Sequence, residues 1–221
     1  MSDTSKKSAE RFVADRMNTK DDTLELAADH DVEMAAMIPA AVMNVAKKVS
    51  AFLGEHQVPH AVAGGMALSA HGHARMTMTV DVLVSSSAVT TIALLGKTSP
   101  ISGFLSGVSV GVDGINVCFL FLGRGLRSND LDSGLRLTAL PVVSIEVLIL
   151  MKLGVDRMQD IADVVQLLKL GNVPVAKVRE RLSESVGRHF EHAIEIAEAE
   201  TAGDVKKARR LFLDRRRSDG R

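Results

Sequence analysis

Gly64 and Gly65 form a glycine pair, and Asp81 follows inside a run of alternating apolar residues. Between them stand Arg75 and Thr77, in an Arg-x-Thr step. These residue types suit the handling of an anion. Glycines let a backbone come close to a ligand. A helix that starts at such a turn offers unpaired N–H groups to negative charge. A carboxylate on the neighbouring strand can hold a metal beside that anion.

The surrounding pattern supplies elements to position these groups. Ala61-Val62-Ala63 reads as a short strand entering the glycine turn. Met66 to His71 is helix-compatible and is closed by Gly72. Alternation at Met78, Val80, Val82 and Val84 predicts a second strand carrying Asp81. Upstream, Pro39 suits a first helical turn, and Val42, Val45, Ala46, Val49 and Phe52-Leu53 follow helical spacing. Downstream, Ala88 to Leu95 reads as a helix stopped by Gly96, and Ser99 to Gly103 as a turn. Asp113-Gly114 is a hairpin signal between Phe104–Val112 and the buried strand Ile115–Leu122. Gly123 to Gly134 reads as a loop and Leu135 to Val143 as a last short strand.

From Ser144 onward the periodicity is helical. Ile145–Leu153 ends at Gly154, and Asp156–Leu170 follows with Ile161, Val164-Val165 and Leu167-Leu168 on one face. Further helices are expected over Val175–Leu182, His189–Glu200 and Val205–Leu213. The predicted class is α/β (α+β), a short mixed sheet flanked by helices and followed by a helical C-terminal part. The expected division is an N-terminal arm at 1–38, helical or flexible, a core at 39–143, and a helical subdomain with a basic tail at 144–221.

Gly64-Gly65, His71-Gly72 and Arg75-x-Thr77-x-Thr79-x-Asp81 together resemble the polymerase-β-like nucleotidyltransferase superfamily. They are most similar to its small prokaryotic, abortive-infection toxin-type members. A second segment adds to the resemblance: Val143, Ser144, Glu146, Leu148-Ile149, Lys152-Leu153, Arg157, Asp160, Asp163-Val164 and Leu167. The resemblance spans roughly Pro39 to Leu170 and implies a nucleotidyltransferase-like core. It implies a catalytic and metal-holding role for Asp81, and nucleotide contacts at Gly64, Gly65, Arg75, Thr77 and Thr79. In toxin-type relatives the R-x-x-D-x-x-D segment belongs to the functional site. That points to Lys152, Arg157, Asp160 and Asp163 as a polar cluster between lobes, serving substrate or structure.

The chain departs from that pattern where the metal chemistry sits. Such enzymes use two Mg²⁺ ions, which need hard oxygen ligands. The family places two carboxylates two residues apart on one strand face and a third on a neighbouring strand. Here Thr79 stands at the first place and only Asp81 remains of the pair. The third place falls on Cys118, or on Asn116 after a two-residue shift; a thiol is a soft ligand. The resemblance therefore implies a family protein whose Mg²⁺-dependent transfer of NMP from an NTP is lost or weakened. Binding of a nucleotide, or of a protein or RNA partner, would be retained. The alternative is an active transferase acting on a protein or RNA acceptor. Residue by residue, Asp81 has a plainer reading as a strand carboxylate satisfied by Arg75 or a hydroxyl, and Arg75 as its ion-pair partner. His71 and His73 lack a neighbouring ligand set for zinc. Cys118 reads as a small buried apolar residue rather than a nucleophile.

Composition narrows the classes further. The 221 residues are 46% hydrophobic, enough for a sizeable core. Trp and Tyr are absent, which disfavours a base-stacking platform for single strands. Formal net charge is zero, so no global basic field favours nucleic acid. A basic run at 204–221 leaves RNA or an acidic partner open there. One cysteine rules out an internal disulfide. No apolar run approaches the ~18 residues of a membrane span. A cytoplasmic protein without membrane contact is expected.

Overall fold

A computed structural model describes residues 38–102, 105–123, 125–155 and 157–218 of the chain. The expected N-terminal arm lies outside the described residues, apart from Ile38. Helix α1 (Ala40–Glu55) follows Pro39, which caps it rather than entering its first turn. Val42, Val45, Val49 and Leu53 recur every three or four residues and are buried to 3% exposure or less. Each such side chain contributes about 1.5–3 kcal/mol on burial. This face packs against β1 (His60–Val62), β2 (Thr79–Val84) and β5 (Ile115–Phe121).

Among the described residues, one five-stranded sheet runs β1-β2-β5-β4-β3. β4 spans Gly107–Val112 and β3 Thr98–Ile101. Every adjacent pair is antiparallel except β2 and β5, which run parallel at the centre of the sheet. Val80, Val82 and Val84 of β2, with Val117 and Phe119 of β5, enter the core. Thr79 and Asp81 alternate to the other face. The parallel register sets Thr79 opposite Asn116 and Asp81 opposite Cys118.

Several local expectations are corrected. The helix after β1 is α2 (Gly64–Ala70), so both glycines sit within its first turn instead of preceding it. Met78 is exposed, and β2 begins one residue later. The helix expected over Ala88–Leu95 is broken into a 3₁₀ turn, the single α-turn α3 (Val89–Ile92) and a second 3₁₀ turn. The stretch read as a turn from Ser99 holds the edge strand β3, whose Pro100 obscured it. The loop from Gly123 contains a 3₁₀ turn at Ser128–Leu131. The last strand is a small ladder, β6 (Arg136–Leu137) with β7 (Leu140–Pro141). Beyond it Val142 bridges in parallel to Val62. The Asp113-Gly114 hairpin is present, both residues at positive φ.

The helical part comprises α4 (Ile145–Val155), α5 (Met158–Lys169), α6 (Val175–Arg181), α7 (Glu184–Thr201) and α8 (Val205–Ser218). α7 starts earlier than its apolar pattern suggested, at the Ser183 cap position. α4 is buried almost all round, from Ile145 to Leu153, because it lies between α2 on one side and α5, α6 and α7 on the other. One apolar core runs continuously from Val42 through Phe119 and Leu148 to Phe190 and Ile196. Among the described residues no helix is long and apolar enough to cross a membrane.

Candidate functional site

The residues singled out from the two sequence segments meet. Gly64, Gly65, Arg75, Thr77, Thr79 and Asp81 line one cavity of about 450 Å³, together with Lys152, Arg157 and Asp160 from the helical part. Asp163 stands behind the wall, bonded to two of its residues. Cys118 completes the floor beside Asp81, and Leu120, Met151 and Val155 supply apolar wall.

The glycine corner is filled by the chain itself. Gly64 adopts φ +59°, and a Cβ built there would fall 1.9 Å from Asp81 Oδ2. A Cβ at Gly65 would fall 2.6 Å from Thr77 Cβ. The glycines thus allow a close approach to Asp81 and Thr77, and both also face the cavity. The backbone tightens the corner, as Ala63 N–H donates to Asp81 O at 2.8 Å. α2 is only seven residues long, so its N-terminus offers less than the sequence pattern suggested.

Asp81 keeps unusual company for a metal ligand. Burial pushes its carboxyl above the usual range, while Lys152, a hydrogen bond with Cys118, Arg157 and Arg75 pull the other way. Three cations therefore act on this one acid. Burial also pushes the Cys118 thiol up to about 11, aided by the Asp81 charge and hydrogen bond. Asn116 Nδ2 donates to Cys118 Sγ at 3.6 Å. Cys118 is accordingly a protonated neighbour rather than a thiolate. We expect iodoacetamide at pH 8 to alkylate it at least about tenfold more slowly in the native chain than in urea, since only the thiolate reacts. Equal rates would contradict the raised thiol.

The remaining acids are committed elsewhere. Arg75 does not pair with Asp81; its Nη1 donates to Asp163 Oδ2 at 2.9 Å. Lys152 Nζ donates to the same Asp163 oxygen at 2.7 Å and to Asp160 Oδ1 at 3.0 Å. Gln159 Nε2 and His73 Nε2 approach Asp163 Oδ1 at 3.1 and 3.6 Å. Arg157 Nε donates to Asp160 Oδ2 at 2.7 Å. Burial alone would raise the Asp160 carboxyl, but the Arg157 and Lys152 contacts outweigh it and hold it below the usual range. Asp163 is wholly buried and Lys152 nearly so, whereas the Arg157 side chain is 72% exposed. Lys152, Asp160 and Asp163 are a fixed knot; Arg157 is an arm on its rim. His71 is not a free ligand either: burial lowers it, and its Nε2 meets Val143 O at 2.9 Å.

These donors fit a pair of Mg²⁺ ions poorly. Mg²⁺ needs several hard oxygens in near-octahedral array. On the shared face of β2 and β5 the side chains are Thr79, Asp81, Asn116 and Cys118, a single carboxylate among them. A second positive ion there would meet Arg75, Lys152 and Arg157. Among the described residues no group of three or more His, Cys, Asp or Glu could hold a metal. Sequence reasoning placed Asp160 and Asp163 together but missed that Lys152 is shared between them and that Arg75 crosses to Asp163.

No family model matches the chain, and no curated protein matches it by sequence. Among solved structures, a Thermotoga maritima protein assigned as a nucleotidyltransferase is similar at 18% identity and TM-score 0.42, over 59% of this chain and 94% of that one. The complex of ANT(2'')-Ia with adenylyl-2''-tobramycin is similar at 14% identity and TM-score 0.40, over 78% and 97%. The solution structure of the antibiotic-resistance factor ANT(2'')-Ia is similar at 12% identity and TM-score 0.39, over 78% and 89%. The overlap is partial in each case.

Proposed function

We propose that this chain is a polymerase-β-like nucleotidyltransferase-family protein whose metal-dependent transfer chemistry has been lost or weakened and whose cavity still binds a nucleotide. The observation that carries this reading is the β2–β5 face: one acid, Asp81, stands between a hydroxyl and a thiol where two-metal transfer needs several carboxylates. The convergence of both sequence segments on one cavity supports a retained binding role. Within this reading Asp81 is the remnant of the metal centre. Gly64, Gly65, Thr77 and Thr79 shape the floor, and Arg75, Lys152, Arg157, Asp160 and Asp163 form the polar wall. A toxin-type relationship, a protein or RNA partner and a cytoplasmic setting are parts of the same proposal.

The test is label transfer from each radiolabelled NTP in Mg²⁺ and in Mn²⁺, run beside the variant Thr79→Asp/Cys118→Asp. The native chain is expected to transfer nothing, while any nucleotide that binds raises its melting temperature. The double variant is expected to gain a Mn²⁺-dependent thermal shift absent from the native chain. Robust transfer by the native chain would favour an active enzyme acting on a protein or RNA acceptor.

A further inference from the structure

The cavity has no surplus of negative charge for a cation. Among the described residues, Arg75, Lys152 and Arg157 line it with Asp81 and Asp160, and Asp163 behind the wall brings the acids only level with the cations. Lys152 is spent on two carboxylates, with its Nζ at 3.0 and 2.7 Å from them. Arg75 and Arg157 each hold one acid and keep exposed N–H groups, their side chains being 40% and 72% accessible. A planar guanidinium bonded to one carboxylate retains donors for a second planar or tetrahedral anion. Two such forks suit one phosphate group of at most two negative charges. Leu120, Met151 and Val155 line the same cavity and offer apolar side chains for a flat ring to lie on.

We propose that the cavity takes a nucleoside monophosphate without any divalent cation, its phosphate held between Arg75 and Arg157 and its base laid on the Leu120–Met151–Val155 wall. This rests on the nucleotide-binding reading above and narrows it. A metal-complexed triphosphate would bring a cation toward Arg75, Lys152 and Arg157 with one carboxylate to receive it. A bare triphosphate carries more negative charge than a monophosphate, more than two partly committed arginines can match.

The experiment is calorimetric titration of the full chain with AMP, GMP, CMP and UMP, with the corresponding triphosphates, and with inorganic phosphate, each in EDTA and in Mg²⁺. At least one monophosphate is expected to bind in EDTA, with Mg²⁺ changing its Kd less than about twofold and with the triphosphate at least about tenfold weaker. Arg157→Gln is expected to weaken that monophosphate at least about tenfold while the free protein still melts cooperatively, because Arg157 lies on the rim and Lys152 still serves Asp160. Binding that requires Mg²⁺, or a triphosphate–Mg²⁺ complex that outbinds the monophosphate, would overturn this inference and leave the nucleotide-binding reading standing. Phosphate binding as tightly as the monophosphate would remove the role of the apolar wall. No binding by any nucleotide in either condition would sink both.

Discussion

Asp163→Leu is expected to lower stability by about 3–5 kcal/mol, the cost of breaking a buried ion pair by removing one partner. The carboxylate is fully buried and takes Lys152 at 2.7 Å, Arg75 at 2.9 Å and Gln159 at 3.1 Å. Without it, Lys152 keeps only Asp160 for an ammonium buried under α4. Asp163→Asn retains the shape and one acceptor but no charge, so its loss should be smaller. Lys152→Met, which leaves two buried acids facing each other, should cost a similar amount to Asp163→Leu. Pairing Lys152→Met with Asp163→Leu should recover part of the loss, because both charges vanish together and Arg157 still serves Asp160. Urea denaturation midpoints, read at an unchanged m-value, measure all four. A loss below about 1 kcal/mol for Asp163→Leu would show that the knot carries no net stabilisation.

Gly64→Ala is the second large effect. A non-glycine residue held in the left-handed region costs roughly 1–2 kcal/mol, and forced overpacking typically another 1–3. The new methyl would land on Asp81 Oδ2, so the carboxylate must turn away or the corner must open. We expect a loss of about 2–4 kcal/mol in denaturant titrations. Asp81→Ala removes the oxygen in the way. The double variant should therefore be less damaged than the sum of its parts by about 1–3 kcal/mol, a coupling residues in contact commonly show. Simple additivity would mean that the backbone conformation alone accounts for the glycine.

Much of the architecture could be read from the sequence because the relevant signals are local. The spacing of Val42, Val45, Val49 and Leu53 has no strand interpretation, and Asp113-Gly114 between two apolar runs leaves little but a hairpin. The resemblance points to Cys118, or to Asn116, at the place of the third acid, and alternation gives both the same face; the register that sets Cys118 opposite Asp81 comes from the parallel pairing of β2 and β5. The failures are equally physical. Pro100 argues against a strand, and only its position at the sheet edge, where no partner needs its N–H, makes β3 possible. Gly64 and Gly65 read as a turn ahead of the helix, yet they open α2, and Asp81 and Thr77 occupy the space their missing side chains leave. Two apolar residues flanking Thr138-Ala139 looked like one strand, but positive φ at both folds the segment back on itself. In the candidate site, the residue types were visible and the pairing was not. Arg75 and Asp163 lie far apart in sequence, and nothing in local pattern distinguishes a partner on β2 from one on α5.

The knot around Asp163 has a mechanical consequence. Arg75 comes from the segment leading into β2, Lys152 from α4, and both end on the same carboxylate oxygen of α5. Any hinge motion that spread the sheet from the helices would have to pull a cation off an acid sealed from water. The aperture of the cavity is therefore set at folding, and a guest would have to pass the exposed Arg157 side chain at its lip, without any parting of its jaws.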